Sequence, residues 1–202
     1  YCYLVNGQKT NDTLIYTEYH DQWYDSSYYI KDGVWQSDAC GVFEVNGVWY
    51  LINDGYPSRA TTRYKQDGKY LYIQKGIWNP KFTSLAQYGS TWYYYENGIW
   101  NEKANDLIKY KGKWFYIENG IWKKNTTKLF YKNGHWFYIE DGKWNKNANK
   151  LANYKNKTFY IEKGKWAKKS LIYSSNFTKY YIKNGKFNNK LKGVIKLDGE
   201  LY

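Results

Sequence analysis

The chain of 202 residues is 22% aromatic, yet its mean hydropathy is −0.88 and its formal net charge is +13. Rings on this scale, without a matching stock of aliphatic residues, argue against an ordinary apolar core. No run approaches the ~20 apolar residues of a membrane-spanning helix, and the opening Tyr1-Cys2-Tyr3-Leu4 shows no signal peptide.

In chain order, residues 1–60 are the looser part. Gly7 and Gly33 lie 26 residues apart, and Asn11 to Tyr24 matches nothing downstream. This end reads as irregular hairpins or a cap. Cys2 and Cys40 fall here, with no metal-ligand spacing. They read either as a disulfide clasp in an oxidising compartment or as two buried free thiols. Residues 61–187 form a regular array. From Gly33 onward the marker glycines are Gly55, Gly76, Gly98, Gly120, Gly142, Gly164 and Gly185, spaced 22, 21, 22, 22, 22, 22 and 21. Residues 188–202 begin a partial terminal repeat, Val194 to Tyr202, as though the chain were part of a longer surface protein.

A fixed period of this length is the mark of a repeat architecture, in which each unit packs mainly on its neighbours. Asn, Asp or Lys usually precedes the marker glycine, and Asn-Gly or Asp-Gly between apolar stretches signals a hairpin. A second turn lies upstream at Gly47, Gly68, Gly89, Gly112 and Gly134, with Asn156 standing in for glycine. Runs such as Trp114-Phe115-Tyr116-Ile117 between the turns favour a pleated strand. The expected fold is all-β: an elongated, solenoid-like array of stacked antiparallel β-hairpins with about 22 residues per repeat.

Side chains alternate faces along a strand. Ile30, Ile52, Ile73, Tyr95, Ile117, Ile139, Ile161 and Ile182 form one column and share a face with Phe115, Phe137 and Phe159. That face reads as the structural spine. The opposite face carries Trp92, Trp114 and Trp136 beside Tyr94, Tyr116 and Tyr138, and its tryptophan column decays to Thr158 and Lys179. A column that tolerates such change reads as an exposed binding surface. A third column follows the turn and includes Trp100, Trp122 and Trp144. A two-residue turn would place it on the spine, and a three-residue turn with a bulged glycine on the other face. Lys75 and Lys163 inside the turn favour the longer loop, because lysine dislikes positive φ. Lys143, Lys165 and Lys186 just after the glycine favour the shorter one.

The charge is uneven. Residues 1–100 hold 8 Lys and Arg against 10 Asp and Glu; residues 101–202 hold 23 against 8. These lysines read either as solvated strand faces or as attraction to an acidic wall polymer or glycan. Catalysis finds no support. Glu96, Glu118, Glu140 and Glu162 recur at one turn position, whereas a glycosidase needs two carboxylates in different environments. Asp21, Asp25 and Asp38 carry no flag, and His20 and His135 are isolated. No catalytic residue, metal ligand or cofactor is assigned. Single-stranded nucleic acid would suit lysine with aromatics, but the rings run through the acidic half as well. Repeated aromatic surfaces suit a polysaccharide, whose pyranose C–H faces stack on Trp and Tyr. A structural or wall-anchoring scaffold is the alternative.

The motif Tyr110-Lys111-Gly112-Lys113-Trp114-Phe115-Tyr116-Ile117-Glu118-Asn119-Gly120 resembles the tyrosine-rich hairpin repeats of Gram-positive surface proteins. These include choline-binding and glucan-binding cell-wall repeats, and related repeats of starch-adherence proteins and extracellular glycoside hydrolases. The resemblance covers residues 25–202. It implies a secreted or cell-surface location and a glycan or wall-polymer partner. In the choline-binding members, consecutive hairpins build aromatic cages for a quaternary ammonium. The matching rings are Trp92, Trp114 and Trp136 with Tyr94, Tyr116 and Tyr138. Those members follow the turn with a Gly-Trp pair, whereas Trp100, Trp122 and Trp144 are followed here by lysine- and asparagine-rich segments. The glucan-binding relatives imply a sugar polymer, with an α-glucan or starch as the favoured ligand.

Overall fold

The computed structural model describes residues 3–9, 13–17, 26–191 and 194–201. Among them there is no helix. Each regular repeat is a five-residue strand, a two-residue turn, a six-residue strand, a second two-residue turn and a two-residue return strand. In one repeat these strands are Lys128–Lys132, His135–Glu140 and Lys143–Trp144. All pairings are antiparallel, with Lys132 opposite His135 and Ile139 opposite Trp144.

The chain divides into two compact units. The first comprises Tyr1–Ala104 and Asn119–Ile121. Its hairpins include Gly41–Val45 with Val48–Asn53, Thr62–Gln66 with Lys69–Gln74, and Ser84–Tyr88 with Thr91–Glu96. The second comprises Asn105–Glu118 and Trp122–Tyr202. There Asp106–Tyr110 pairs with Lys113–Glu118, and three full repeats and a short terminal hairpin, Lys196–Leu197 with Glu200–Leu201, follow. Stacked antiparallel hairpins are therefore the fold, as the glycine register predicts. Cys2, His20, Asp21 and Asp25 lie outside the described residues, as does most of the unmatched stretch Asn11 to Tyr24. The Cys40 thiol is exposed and donates to Asp54 Oδ1 at 3.3 Å.

The second turn holds two residues, which settles the register. Asp141 and Gly142 have φ of 48° and 69°, the double-positive combination of a type I′ turn. Lys75 and Lys163 adopt φ of 51° and 48° in the same position, so the shorter of the two turns left open by the sequence is the one formed, although these lysines favoured the longer. The first turn residue is held from outside. The Lys163 N–H donates to Asn149 Oδ1 at 2.9 Å, and the Lys75 N–H to Thr61 Oγ1 at 3.0 Å. Thr83 and Ser170 serve Asn97 and Asn184 in the same way. The post-turn tryptophans consequently lie opposite the isoleucine column: Tyr95 faces Trp100 and Ile161 faces Trp166.

Each return strand also pairs with the long strand of the preceding repeat, as Phe115 with Lys143 and Phe137 with Lys165. Successive hairpins thus lie face on face. Leu107 and Tyr116 of one hairpin pack on Ile139 of the next, with Trp114, Phe137 and Trp144 around them. This overturns the reading of Tyr116 and Tyr138 as surface rings. They are 2% and 5% exposed, nearly as deeply buried as the isoleucine spine on the other face. In a stacked repeat an inner hairpin covers both faces with neighbours, so alternation along the strand does not separate core from surface.

The buried hydroxyls are satisfied by a recurring trio. Tyr116 donates to Glu118 Oε1 at 2.9 Å and accepts from Lys128 Nζ at 3.0 Å. Tyr138 donates to Glu140 Oε1 at 3.1 Å, and Lys150 Nζ reaches the same oxygen at 2.8 Å. The repeated glutamates therefore serve the core. Hydrogen bonds from Lys150 and Asn145 lower the Glu140 carboxyl below its ordinary pKa, and burial raises Tyr116 and Tyr138.

The two turn glycines of a repeat differ. A Cβ on Gly142 would run into the Lys123 carbonyl and Trp122 Nε1, whereas one on Gly134 would meet nothing within 4 Å. Both have positive φ, 69° and 80°. Gly134→Ala should cost roughly the 1–2 kcal/mol of a left-handed residue. Gly142→Ala should cost clearly more, because the clash is with backbone. Urea unfolding of the two variants checks this difference.

Candidate functional site

The tryptophans of the long strands and of the return strands meet between repeats. Trp114 lies edge-on to Trp144 of the next repeat, with centroids 6.4 Å apart and planes at 62°. Phe137 closes a third side, 5.1 Å from Trp144 at 85°. One repeat later Trp136 meets Trp166 at 6.5 Å and 67°, and Phe159 meets Trp166 at 5.2 Å and 83°. In the first unit Trp49 meets Trp78 at 5.2 Å and 81°.

These rings enclose small recesses. The first, about 280 Å³, is lined by Leu107, Trp114, Lys132, Asn133, Phe137 and Trp144. The second, about 270 Å³, repeats it one period on, with Leu129, Trp136, Tyr154, Lys155, Phe159 and Trp166 in the same places and Lys157 and Lys186 added. Beside the first lies a more polar groove of about 380 Å³. It runs from Gly112 and Trp114 to Glu140, Trp144, Asn145 and Asn147. A matching groove of about 350 Å³ flanks Trp49 and Trp78.

The return-strand indoles are fixed by hydrogen bonds within the fold. Trp144 Nε1–H donates to the Gly164 carbonyl at 2.9 Å, and Trp166 Nε1–H to that of Gly185 at 2.9 Å. Trp122 and Trp100 do the same to Gly142 and Gly120 at 2.9 and 3.1 Å. Lysine amines ring these cages. Lys165 Nζ lies 5.2 Å from the Phe137 centroid, and Lys186 Nζ lies 5.9 Å and 5.6 Å from those of Phe159 and Trp166.

The site residues expected from the sequence are thus partly regrouped. Trp92, Trp114 and Trp136 are half-buried, and Trp114 and Trp136 each wall a separate cage. Trp144 joins Trp114 at one cage, while Trp100 and Trp122 hold equivalent return-strand places. Tyr116 and Tyr138 belong to the core, and Tyr94 is half-buried in the first unit. Phe137 and Phe159, read as spine, pack in or against the core and also wall the cages. The signal in the sequence was the Trp pair 30 residues apart, Trp114 with Trp144 and Trp136 with Trp166.

Residues 81–101, 103–121 and 172–188 match the family model of the choline-binding repeat. Over those three segments the hairpins resemble the choline-binding repeat. No curated protein sequence matches the chain. Among solved structures, CbpJ from Streptococcus pneumoniae is 18% identical over 95% of this chain and 68% of its own, with a TM-score of 0.43. The autolysin LytC of Streptococcus pneumoniae, in complex with a synthetic peptidoglycan ligand, is 16% identical over 98% of this chain and 47% of its own, with a TM-score of 0.46. Alternansucrase in complex with isomaltononaose is 17% identical over 94% of this chain and 16% of its own, with a TM-score of 0.41. At these scores the likenesses carry no argument about function. The chain spans only part of the latter two.

The indole hydrogen bond and the ring wall are separable. Trp144→Phe keeps an aromatic wall and removes the N–H, while the Gly164 carbonyl retains its bond from the Tyr138 N–H at 2.8 Å. The variant should lose about 0.5–1.5 kcal/mol of stability. Thermal or urea unfolding reads this; a loss of several kcal/mol would contradict it.

Proposed function

We propose that this chain, which resembles the choline-binding repeat over three segments, is a non-catalytic binding module at a bacterial cell surface. It holds a wall or surface polymer by lodging the polymer's cationic substituents between successive hairpins. The observation that carries this reading is the repeated three-ring cage at Trp114, Phe137 and Trp144 and at Trp136, Phe159 and Trp166. Rings set near right angles present faces and edges to one small volume. They form a box for a compact cation such as a quaternary ammonium, whereas a flat sugar face calls for a flat platform. The recesses, at about 270 and 280 Å³, fall just below the ~300 Å³ at which sites for whole small molecules begin. They suit a substituent of a larger ligand.

Lysines complete the reading. A bare cation would be opposed by Lys165, 5.2 Å from the Phe137 centroid, at one cage, where Lys132 is paired with Asp106, and by Lys155, Lys157 and Lys186 at the other. A zwitterionic group, with its ammonium among the rings and a phosphate or carboxylate outward, meets both charges correctly. The net positive charge then favours an anionic polymer chain.

A neutral α-glucan is the second reading. It is favoured by the polar groove beside Trp114 and Trp144, where Glu140, Asn145 and Asn147 offer partners for sugar hydroxyls.

The experiment is a tryptophan-fluorescence titration with choline, phosphocholine and a soluble α-glucan. Choline and phosphocholine should produce saturable changes. Trp114→Ala and Trp136→Ala should each weaken binding at one cage by about 1–2 kcal/mol, the scale of a desolvated cation–π contact. A response to the glucan alone, lost with Asn145→Ala, would replace the first reading by the second.

A further inference from the structure

One cage already contains a cation, and it belongs to the protein. In the hairpin Thr62–Gln66 with Lys69–Gln74, Arg63 lies opposite Tyr72. Leu107 and Leu129 occupy that register opposite Tyr116 and Tyr138, and Leu85, Leu151, Val42 and Ile172 occupy it in other repeats. Arginine is the exception in an aliphatic column. Its guanidinium carbon lies 4.3 Å from the Tyr70 ring centroid, 3.9 Å from that of Tyr93 and 4.8 Å from that of Trp100. These three rings are the counterparts of Trp114, Phe137 and Trp144. They hold the same mutual geometry, with Tyr93 to Trp100 at 5.6 Å and 87° and Tyr70 to Trp100 at 5.9 Å and 65°.

Besides these rings, the buried Tyr95 hydroxyl of the next hairpin interacts with the guanidinium. Among the described residues no carboxylate forms an ion pair with it. Its Nε is buried without a hydrogen-bond partner, as is the Tyr95 hydroxyl of the next hairpin. Burial pushes that phenol up to about 12 despite the opposing guanidinium, so it stays neutral at ordinary pH and supplies no counter-charge. The cation is therefore held mainly by ring faces.

We propose that Arg63 is a built-in occupant that closes the Tyr70–Tyr93–Trp100 cage to external cations, so that this repeat is a self-plugged copy of the ligand cages in the second unit. This deepens the reading of those cages as ammonium sites and rests on it. The plug changes how many groups of a polymer the module holds and where. It removes one site from the first unit, and it replaces an exchangeable ligand with a permanent internal contact.

The test follows the indole N–H resonances of Trp100, Trp144 and Trp166 by NMR while tetramethylammonium chloride is added. In the unmodified chain Trp144 and Trp166 should shift saturably and Trp100 should not. Arg63→Leu recreates the sibling arrangement, and Trp100 should then join the responders. Arg63→Lys keeps a cation in place and should leave Trp100 silent. If Trp100 stays silent in Arg63→Leu while Trp144 and Trp166 respond, the plug is overturned and the function stands. If Trp100 responds only in Arg63→Leu while Trp144 and Trp166 never do, the plug stands and the proposed function falls. Silence at all three overturns both. Should Arg63→Leu fail to fold, the unmodified chain still decides. An Arg63 Nε–H resonance displaced upfield by ring currents supports the plug, and one at the position of a solvated arginine overturns it.

Discussion

The stacking of this protein depends on the peptide of one turn glycine in each repeat. In the second unit the Gly142 carbonyl accepts the Tyr116 N–H at 2.8 Å and the Trp122 indole N–H at 2.9 Å, while its own N–H donates to the Thr126 carbonyl at 2.9 Å. Gly164 gathers Tyr138, Trp144 and Ala148 in the same way, and Gly185 gathers Tyr160, Trp166 and Lys169. Two strands of one repeat, the loop that follows them and the turn of the next repeat meet at one peptide. A side chain there would collide with the indole that binds the carbonyl. Glycine is thus required twice, for its positive φ and for the space above its Cα. The near-constant 22-residue spacing is the sequence trace of that junction.

The cages follow from the same junction. Holding each return-strand indole against the next turn fixes its ring plane, and the long-strand Trp of the preceding hairpin meets it edge-on. The indole hydrogen bonds hold these walls, so little side-chain ordering would oppose binding. The hydrophobic core and the recesses are two depths of one interface between hairpins: Leu107, Tyr116 and Ile139 inside, Trp114, Phe137 and Trp144 toward the mouth.

The hairpins, their turns and their repetition were legible in the sequence, because Asn-Gly and Asp-Gly turns and β-branched or aromatic strands are local signals. The burial of Tyr116 and Tyr138 was not. Alternation identifies two faces, but stacking covers both, and nothing within one repeat reports the neighbour. The turn length was obscured by Lys75 and Lys163, whose positive φ is stabilised by Thr61 and Asn149, 14 residues upstream. The cage walls were visible as columns but not as partners, since Trp114 and Trp144 belong to different repeats. Arg63 carries a signal of its own: a lone arginine in a column of Leu, Val and Ile marks a change in what fills the interface.

Hydrogen exchange at the indole nitrogens tests the junction most directly. Trp122, Trp144 and Trp166 donate to glycine carbonyls within the second unit, whereas Trp114 and Trp136 present their rings to the cage mouths. The account predicts slow exchange at the first three, comparable with core strand amides, and fast exchange at the other two. Equal, rapid exchange at all five would show that the return-strand indoles are not anchored, and the stacking built on them would have to be abandoned.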